Sequence, residues 1–353
     1  MITAYSQSGD VRRAREYFDK MPHRNIVSWT SMLGAYVQQG FWEEGLNFYV
    51  TMLRQGIKPD CVTFATSLSA CADSVLLQLG KQIIGQAEKS GHSSDIAIAN
   101  CYITLYSRSG LIHDAEIVFD SLHTKNLVYW NSMLSGYAQN GYPRRVIDLD
   151  EGMISAGCTP DGVSYLSVLM GCSHAGLVLQ GRHYFDSMIK NHCISPAPEH
   201  YTCMVDLLGR AGLIEQAKDL VDTMPFEPNA AVWSALLSAC RNCLNTELAE
   251  FAMRKLHKLD ADDSGVYVLL SNAYMDSGKL EGVMNTRKMM RERGIAKIIG
   301  CSWIEVHSKT HVFSAEDTNH PQIEEILDML ERVISKMDDD SCCLDMESLV
   351  EPV

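Results

Sequence analysis

Two kinds of residue pairing in this chain could do chemistry. The first is Cys240-x-x-Cys243, two thiols at a spacing that can clamp a metal ion. No histidine stands at zinc spacing beside them, and Cys240 falls at a position occupied elsewhere in the chain by core residues, so packing is the better reading. The second is a set of polar side chains that recurs in register. Thr30, Asn100, Asn131 and Thr202 stand near the starts of helical runs, and Asp60, Asn126, Asp161 and Asn229 stand just before such runs. Aspartate only accepts hydrogen bonds, whereas asparagine and threonine also donate. Taken singly, each is an ordinary exposed polar residue, helix cap or turn residue. Capping alone, however, would not lock two polar positions to one phase of a repeat.

That phase is visible in the chain itself. "NIVSWTSMLGAYVQQG" at 25–40 and "NLVYWNSMLSGYAQNG" at 126–141 share nine of sixteen residues, 101 positions apart. Blocks at 26–60, 61–95, 96–126, 127–161, 162–197 and 198–229 contain 35, 35, 31, 35, 36 and 32 residues. Within a block, Trp29, Met32, Leu33 and Tyr36 fall at i, i+3, i+4 and i+7, the stripe of one helix face. Trp130, Met133, Leu134 and Tyr137 repeat it. A glycine follows (Gly40, Gly110, Gly141, Gly176, Gly212) where a helix ends and the chain must take φ > 0. A second stripe comes next, such as Trp42, Leu46, Tyr49 and Met52, and stops at "GIKPD", "GCTPD" or "MP".

Each block is therefore two helices of about 13 residues, roughly 20 Å long. A lone hairpin of that size cannot bury its apolar stripe, whereas stacked hairpins share a continuous core. The expected fold is all-α, an α-solenoid superhelix of stacked helix-turn-helix repeats. One position conflicts with it: Asp150 stands where Tyr49, Phe119 and Phe185 stand in other blocks. A carboxylate facing that core is costly unless paired or within reach of water, so this repeat is expected to be locally loose.

Composition narrows the classes without choosing among them. The formal net charge is −14, but residues 301–353 hold 13 acids and 3 bases and so supply −10 of it. The remaining body is near neutral, with a basic run "RKMMRERGIAK" at 287–297, and neither demands nor excludes a polyanionic partner. Twelve cysteines scattered singly suit reduced, buried thiols rather than a disulfide framework. The longest uncharged stretch, "GVSYLSVLMGCSHAGLVLQG", is too polar and glycine-rich for a bilayer span, and no membrane partner is expected.

The length cycle of 35, 35 and 31 resembles the PLS subclass of plant pentatricopeptide repeat proteins. "VSWTSMLGAYVQQG", "VTFATSLSACAD", "FDSLHTKN", "EHYTCMVDLLGRAGLIEQA" and "MPFEPN" resemble its P, L, S and terminal S2 repeats. "AVWSALLSACRN" and "YVLLSNAYMDSGKLEGV" are similar to its E1 and E2 motifs, and "GCSWIEV" to its PG box. The resulting layout is a partial S-type repeat at 1–25, the repeat array at 26–229, and E1/E2 at 230–297. The PG box and a truncated start of a DYW-like region follow at 298–335, then an acidic disordered tail at 336–353. Met1 aligns with the seventh position of an S-type repeat, so 1–25 lacks the reader that would pair with Asn25, and further repeats and a transit peptide are expected upstream of this chain.

The resemblance implies sequence-specific binding of single-stranded organellar RNA, one base per repeat, read by the fifth residue of the first helix and the last residue of the repeat. A final aspartate favours G or U, whose edges carry an imino N–H; a final asparagine also donates and suits A or C. In the family, threonine at the fifth position goes with purines and asparagine with pyrimidines. Thr30 with Asp60 then reads G, Asn100 with Asn126 reads C with U tolerated, Asn131 with Asp161 reads U, and Thr202 with Asn229 reads A. Ala65 and Leu166 hold the fifth position of the L-type blocks and are assigned no base. Val27, Val62, Val128 and Val163 match positions that sandwich each base; Ala97 and Glu199 depart from valine there.

Many proteins of this subclass end in a DYW domain resembling a zinc cytidine deaminase, whose chemistry needs H-x-E and C-x-x-C. None of the twelve histidines here is followed two residues later by glutamate, and the vicinal Cys342 and Cys343 lie in the acidic tail. No catalytic residue, metal ligand or cofactor is expected. The function implied is that of a site-recognition factor for C-to-U RNA editing, with a DYW-type cytidine deaminase or other editing factors docked in trans on E1/E2, in the mitochondrion, with the chloroplast as the alternative compartment. A protein-binding helical scaffold and an organellar RNA stability or splicing factor are the competing readings.

Overall fold

The structure, a computed structural model, describes residues 2–92, 96–259, 264–296, 300–306, 309–314 and 320–341. It divides into two compact units, Met1–Arg287 and Lys288–Val353. Eighteen of its helices form nine hairpins: α1 (Ile2–Gln7) with α2 (Val11–Asp19), α3 (Ile26–Gln38) with α4 (Trp42–Arg54), and α5 (Cys61–Asp73) with α6 (Leu77–Lys89). These continue as α7 (Ile96–Arg108) with α8 (Ile112–Ser121), α9 (Leu127–Gln139) with α10 (Pro143–Ser155), and α11 (Gly162–Ala175) with α12 (Val178–Lys190). The last three are α13 (Pro198–Arg210) with α14 (Ile214–Asp222), α15 (Ala230–Asn242) with α16 (Thr246–Lys258), and α17 (Ser264–Asp276) with α18 (Leu280–Glu292).

In the first unit, each odd-numbered helix packs on the next odd-numbered one, from α1 through α17. Each even-numbered helix from α2 to α16 packs on its own partner and on the following odd helix. The odd helices therefore form an unbroken row, and each even helix bridges two neighbours of that row. This is the packing of an α-solenoid, in which each hairpin buries its stripe only because its neighbour is there.

The stripes sit where periodicity puts them. Trp29, Met32, Leu33, Trp130, Met133, Leu134 and Tyr137 are buried, and so are Leu46, Tyr49 and Met52 of the second helix. Two stripe residues are exceptions: Tyr36 is half-buried, and Trp42, in the first turn of α4, is 37% exposed. Aromatic contacts carry the core from one hairpin into the next: Trp29 meets Phe18 of the preceding hairpin edge-on at 4.8 Å and Phe48 of its own at 4.6 Å.

The hinge of each hairpin is a residue in the left-handed region. Gly40, Gly110, Gly141, Gly176 and Gly212 all take positive φ, as expected of the only residue with no steric cost there. At the equivalent positions of two other hairpins Val75 and Leu244 take φ of 55° and 53° without that freedom.

Asp150 is 3% exposed within an unbroken α10. Burial pushes its carboxyl up to about 6, with His192 opposing the shift and Glu151 adding to it. Cys240 packs in the core of α15, where burial pushes its thiol up to about 12, the behaviour of an inert structural cysteine.

In the second unit the only strands among the described residues are β1 (Cys301–Val306) and β2 (Lys309–Ser314), an antiparallel hairpin with Trp303 opposite Val312. It falls on "GCSWIEV", for which the sequence reading names no strand, although β-branched and aromatic residues there suit one. A helix, α19 (Ile323–Ser341), follows. It runs past residue 335, so 336–341 are helical rather than part of a disordered tail. Residues 342–353, with Cys342 and Cys343, lie outside the described residues.

Candidate functional site

Where a block ends in Asp or Asn among the described residues, that residue lies at the N-terminus of the next helix and caps it. Asn25, Asp60, Asn126, Asp161 and Asn229 accept hydrogen bonds from the backbone N–H three residues on, at Ser28, Thr63, Tyr129, Ser164 and Val232, over 2.8 to 3.1 Å. Stacking brings that cap beside the fifth residue of the preceding odd helix, about thirty positions earlier in the chain. Capping and pairing are therefore not alternatives, because both follow from the same placement.

The pairs are not equally joined. Asn131 Nδ2 donates directly to Asp161 Oδ1 at 3.0 Å. Thr30 and Asp60 are linked through Thr63, whose hydroxyl lies 2.8 Å from the Thr30 hydroxyl and donates to Asp60 Oδ1 at 2.7 Å. No hydrogen bond joins the other two pairs. Asn100 Oδ1 instead accepts from the Ser132 hydroxyl at 2.5 Å, and Thr202 donates to the Pro198 carbonyl of its own helix at 2.9 Å. The difference lies in the third residue of the following block: Thr63 and Ser164 carry a hydroxyl, whereas Tyr129 and Val232 put no aliphatic hydroxyl there.

Around Asn131 and Asp161 is an open cavity of about 440 Å³, bounded also by Val128, Val163, Ser132 and Arg108. Burial works to raise the Asp161 carboxyl, but hydrogen bonds from the Ser164 backbone and hydroxyl and from Asn131 outweigh it and hold the group below its ordinary value. Asp161 thus stays an ionised acceptor beside an amide donor. Arg108 is paired with Asp73, which neutralises it at the cavity edge.

Val27, Val62, Val128 and Val163 are 51 to 65% exposed, next to the pairs rather than in the core. Ala97 and Glu199, second in their blocks, are exposed as well. In the L-type blocks, Ala65 and Leu166 occupy the fifth position, half-buried and without a side-chain donor or acceptor. His200, third in its block, accepts from the Ala197 backbone N–H through Nδ1, as the Ser164 hydroxyl does from that of Asp161, and meets the Gly162 carbonyl through Nε2 at 2.7 Å.

Thr63 and Ser164 are the site residues that sequence reasoning missed. The available signal was Asp60-x-x-Thr63 and Asp161-x-x-Ser164, each an acid followed by a hydroxyl at capping-box spacing. Among the described residues, no three His, Cys, Asp or Glu side chains are placed to hold a metal ion, and no helix is long and apolar enough to cross a membrane.

Comparison with known proteins matches the model described as "PPR repeat" at residues 1–26, 98–127, 128–158, 163–193 and 199–227, and "PPR repeat family" at 24–73. Together these take in more than half of the chain. The "E motif" model matches 244–305. A putative pentatricopeptide repeat-containing protein of Arabidopsis thaliana is 39% identical over 96% of this chain and 57% of its own length. Another from that plant, named as mitochondrial, is 37% identical over 94% of this chain and 53% of its own. The chain thus spans about half the length of the curated relatives it matches. Among solved structures, the pentatricopeptide repeat protein PPR10 in complex with an 18-nt psaJ RNA element superposes with a TM-score of 0.54 at 15% identity, over 81% of this chain and 48% of that one. Repeats, fold and relatives agree: the chain belongs to the pentatricopeptide repeat family and carries an E motif after its repeats.

Proposed function

We propose that this chain is a sequence-specific binder of single-stranded RNA in a plant organelle, reading 5′-G-n-C-U-n-A with Thr30/Asp60, Asn100/Asn126, Asn131/Asp161 and Thr202/Asn229. The observation that carries the reading is the Asn131–Asp161 pair, an amide donor and an ionised acceptor meeting at 3.0 Å beside an open cavity flanked by Val128 and Val163. Uracil offers the complement, an imino N–H for the carboxylate and a carbonyl oxygen for the amide. A protein-binding scaffold has no need of polar pairs repeated at this phase. That a structure of PPR10 holds an RNA element supports the partner class, and relatives named as mitochondrial support the compartment.

Within that function, the chain acts as a site-recognition factor for C-to-U editing. The E motif after the repeats favours this role over RNA stability or splicing, with the cytidine deaminase supplied in trans and docked on the E1/E2 region. Binding assays against all four bases at the U position test the reading. Asn131→Thr should move the preference there from U toward G, and an unchanged preference defeats the assignment. Comparing organellar transcripts with the genome in plants lacking the gene separates the roles: loss of one C-to-U change supports editing, and intact editing with altered transcript levels supports stability.

A further inference from the structure

Thr63 and Ser164 are fully buried, yet each places its hydroxyl between the two members of a reading pair. A hydroxyl has one proton, so following that proton determines what its neighbours can offer a ligand. The Ser164 hydroxyl accepts from the Asp161 backbone N–H at 3.1 Å, and its one proton faces two acceptors, Asn131 Oδ1 at 2.6 Å and, more distantly, Asp161 Oδ1 at 3.1 Å, so the shorter contact to Asn131 takes the larger share. The Asn131 amide is thereby oriented. Its oxygen is committed to Ser164, and one of its N–H groups to Asp161 Oδ1 at 3.0 Å. The reverse orientation would set the amide oxygen against the carboxylate at that same distance, two acceptors in repulsion. What remains for the cavity is one amide N–H donor and the acceptor capacity of a carboxylate.

At Thr63 the same count gives a different answer. Asp60 can only accept, so the 2.7 Å contact uses the Thr63 proton. The 2.8 Å contact between Thr63 and Thr30 is then a hydrogen bond only if Thr30 donates. Thr30, its proton spent, faces a ligand with lone pairs alone, beside a second acceptor in Asp60. Two acceptors fit the adjacent N1–H and N2–H donors of guanine and oppose adenine, whose N1 is an acceptor. A donor with an acceptor fits uracil when the carboxylate takes the imino N–H; in that placement cytosine, whose N3 carries no proton, sets a lone pair against the carboxylate.

We propose that the buried third-position hydroxyl of a repeat sets the hydrogen-bond polarity of the reading pair completed just before it, and so rejects the base of matching size and opposite edge: A at Thr30/Asp60 and C at Asn131/Asp161. Thr63 and Ser164 are positioning residues, since neither side chain need touch RNA. This rests on the RNA-binding reading above.

The test is equilibrium binding of the 353-residue chain to 5′-G-n-C-U-n-A and to the two RNAs with G→A at the first position or U→C at the fourth. The proteins compared are wild type, Thr63→Val, Thr63→Ser, Ser164→Ala and Ser164→Thr. Thr63→Val should reduce the G-over-A preference about tenfold, the scale of one hydrogen bond, while leaving U over C intact. Ser164→Ala should do the converse. Thr63→Ser and Ser164→Thr, which keep the hydroxyl, should keep both preferences. The untouched site in each variant serves as its folding control, and a misfolded variant at one site leaves the other site decisive. Wild-type preferences that survive Thr63→Val and Ser164→Ala overturn the proposal, as does an equal loss in the hydroxyl-keeping variants. A wild type with no preference at either position refutes the RNA reading instead.

Discussion

Gly209 of α13 and Ala239 of α15 leave no room for a side chain between them: a Cβ on the glycine would overlap the alanine Cβ and stand 3.1 Å from its Cα. Two opposing effects meet at this position. Alanine in place of glycine gains about 1 kcal/mol of helix propensity, but forcing two adjacent helices of the row apart costs about 1 to 3 kcal/mol. Because the obstacle is a rigid methyl and backbone, with no flexible end to swing away, the steric cost should win. Gly209→Ala is expected to lower the unfolding free energy by about 1 kcal/mol in urea titrations. Higher stability would show that the row of helices yields more easily than this geometry implies.

Val75 presents the reverse case. It holds φ of 55° where the equivalent hinge positions carry glycine, and it is 46% exposed. A left-handed conformation costs an ordinary residue about 1 to 2 kcal/mol, whereas glycine adds about 0.4 to 1 kcal/mol of unfolded-chain entropy. Val75→Gly should therefore raise stability by about 0.5 to 1 kcal/mol, seen as a higher denaturation midpoint with unchanged slope. A lower midpoint would mean that the exposed valine makes contacts worth more than its backbone strain.

The contrast between these two sites shows what could be read from the residues alone. The stripes of Trp29, Met32 and Leu33 and the hinge glycines were legible because helix period and φ > 0 leave direct marks on residue type. The pairing of Asn131 with Asp161 was legible only through repeat phase, since nothing local to either residue names a partner thirty positions away. Val75 shared the phase of the glycines but not their chemistry, so its strain appears only in the backbone. Thr63 and Ser164 carry no such mark, because a small hydroxyl in the first turn of a helix suits a cap, a core or a surface equally well. Its role depends on which protons neighbouring groups have already spent.

Val163 borders the cavity beside Asn131 and Asp161 and is 53% exposed. Under the proposed reading it holds a base by dispersion contact, which is alike for every base because each has a flat face. Val163→Ala should then weaken binding about threefold to tenfold at all four bases, leaving the order of preference unchanged. A change in order, with affinity for U retained, would assign Val163 to selecting the base and remove the sandwiching role.

Asp150 makes stability depend on pH in the sense opposite to that of most carboxylates. Its aligned counterparts Tyr49, Phe119 and Phe185 are buried aromatics, and Asp150 is buried as deeply. Burial raises its carboxyl from the ordinary 3.8 to about 6, with His192 working against the shift and Glu151 with it. A folded-state value above the unfolded one means that the native state holds the proton more tightly, so ionisation favours unfolding. The destabilisation begins above the unfolded value, grows up to the folded one, and is complete at about 3 kcal/mol beyond it. Roughly half of that should develop between pH 5 and pH 7.5. Asp150→Asn removes the titration while keeping the shape, so the stability difference between variant and wild type cancels the groups that do not interact with Asp150. That difference should favour the variant by about 1 to 2 kcal/mol more at pH 7.5 than at pH 5. A difference that does not vary with pH would mean that Asp150 reaches water or a counter-charge in solution, and that the core at α10 is open.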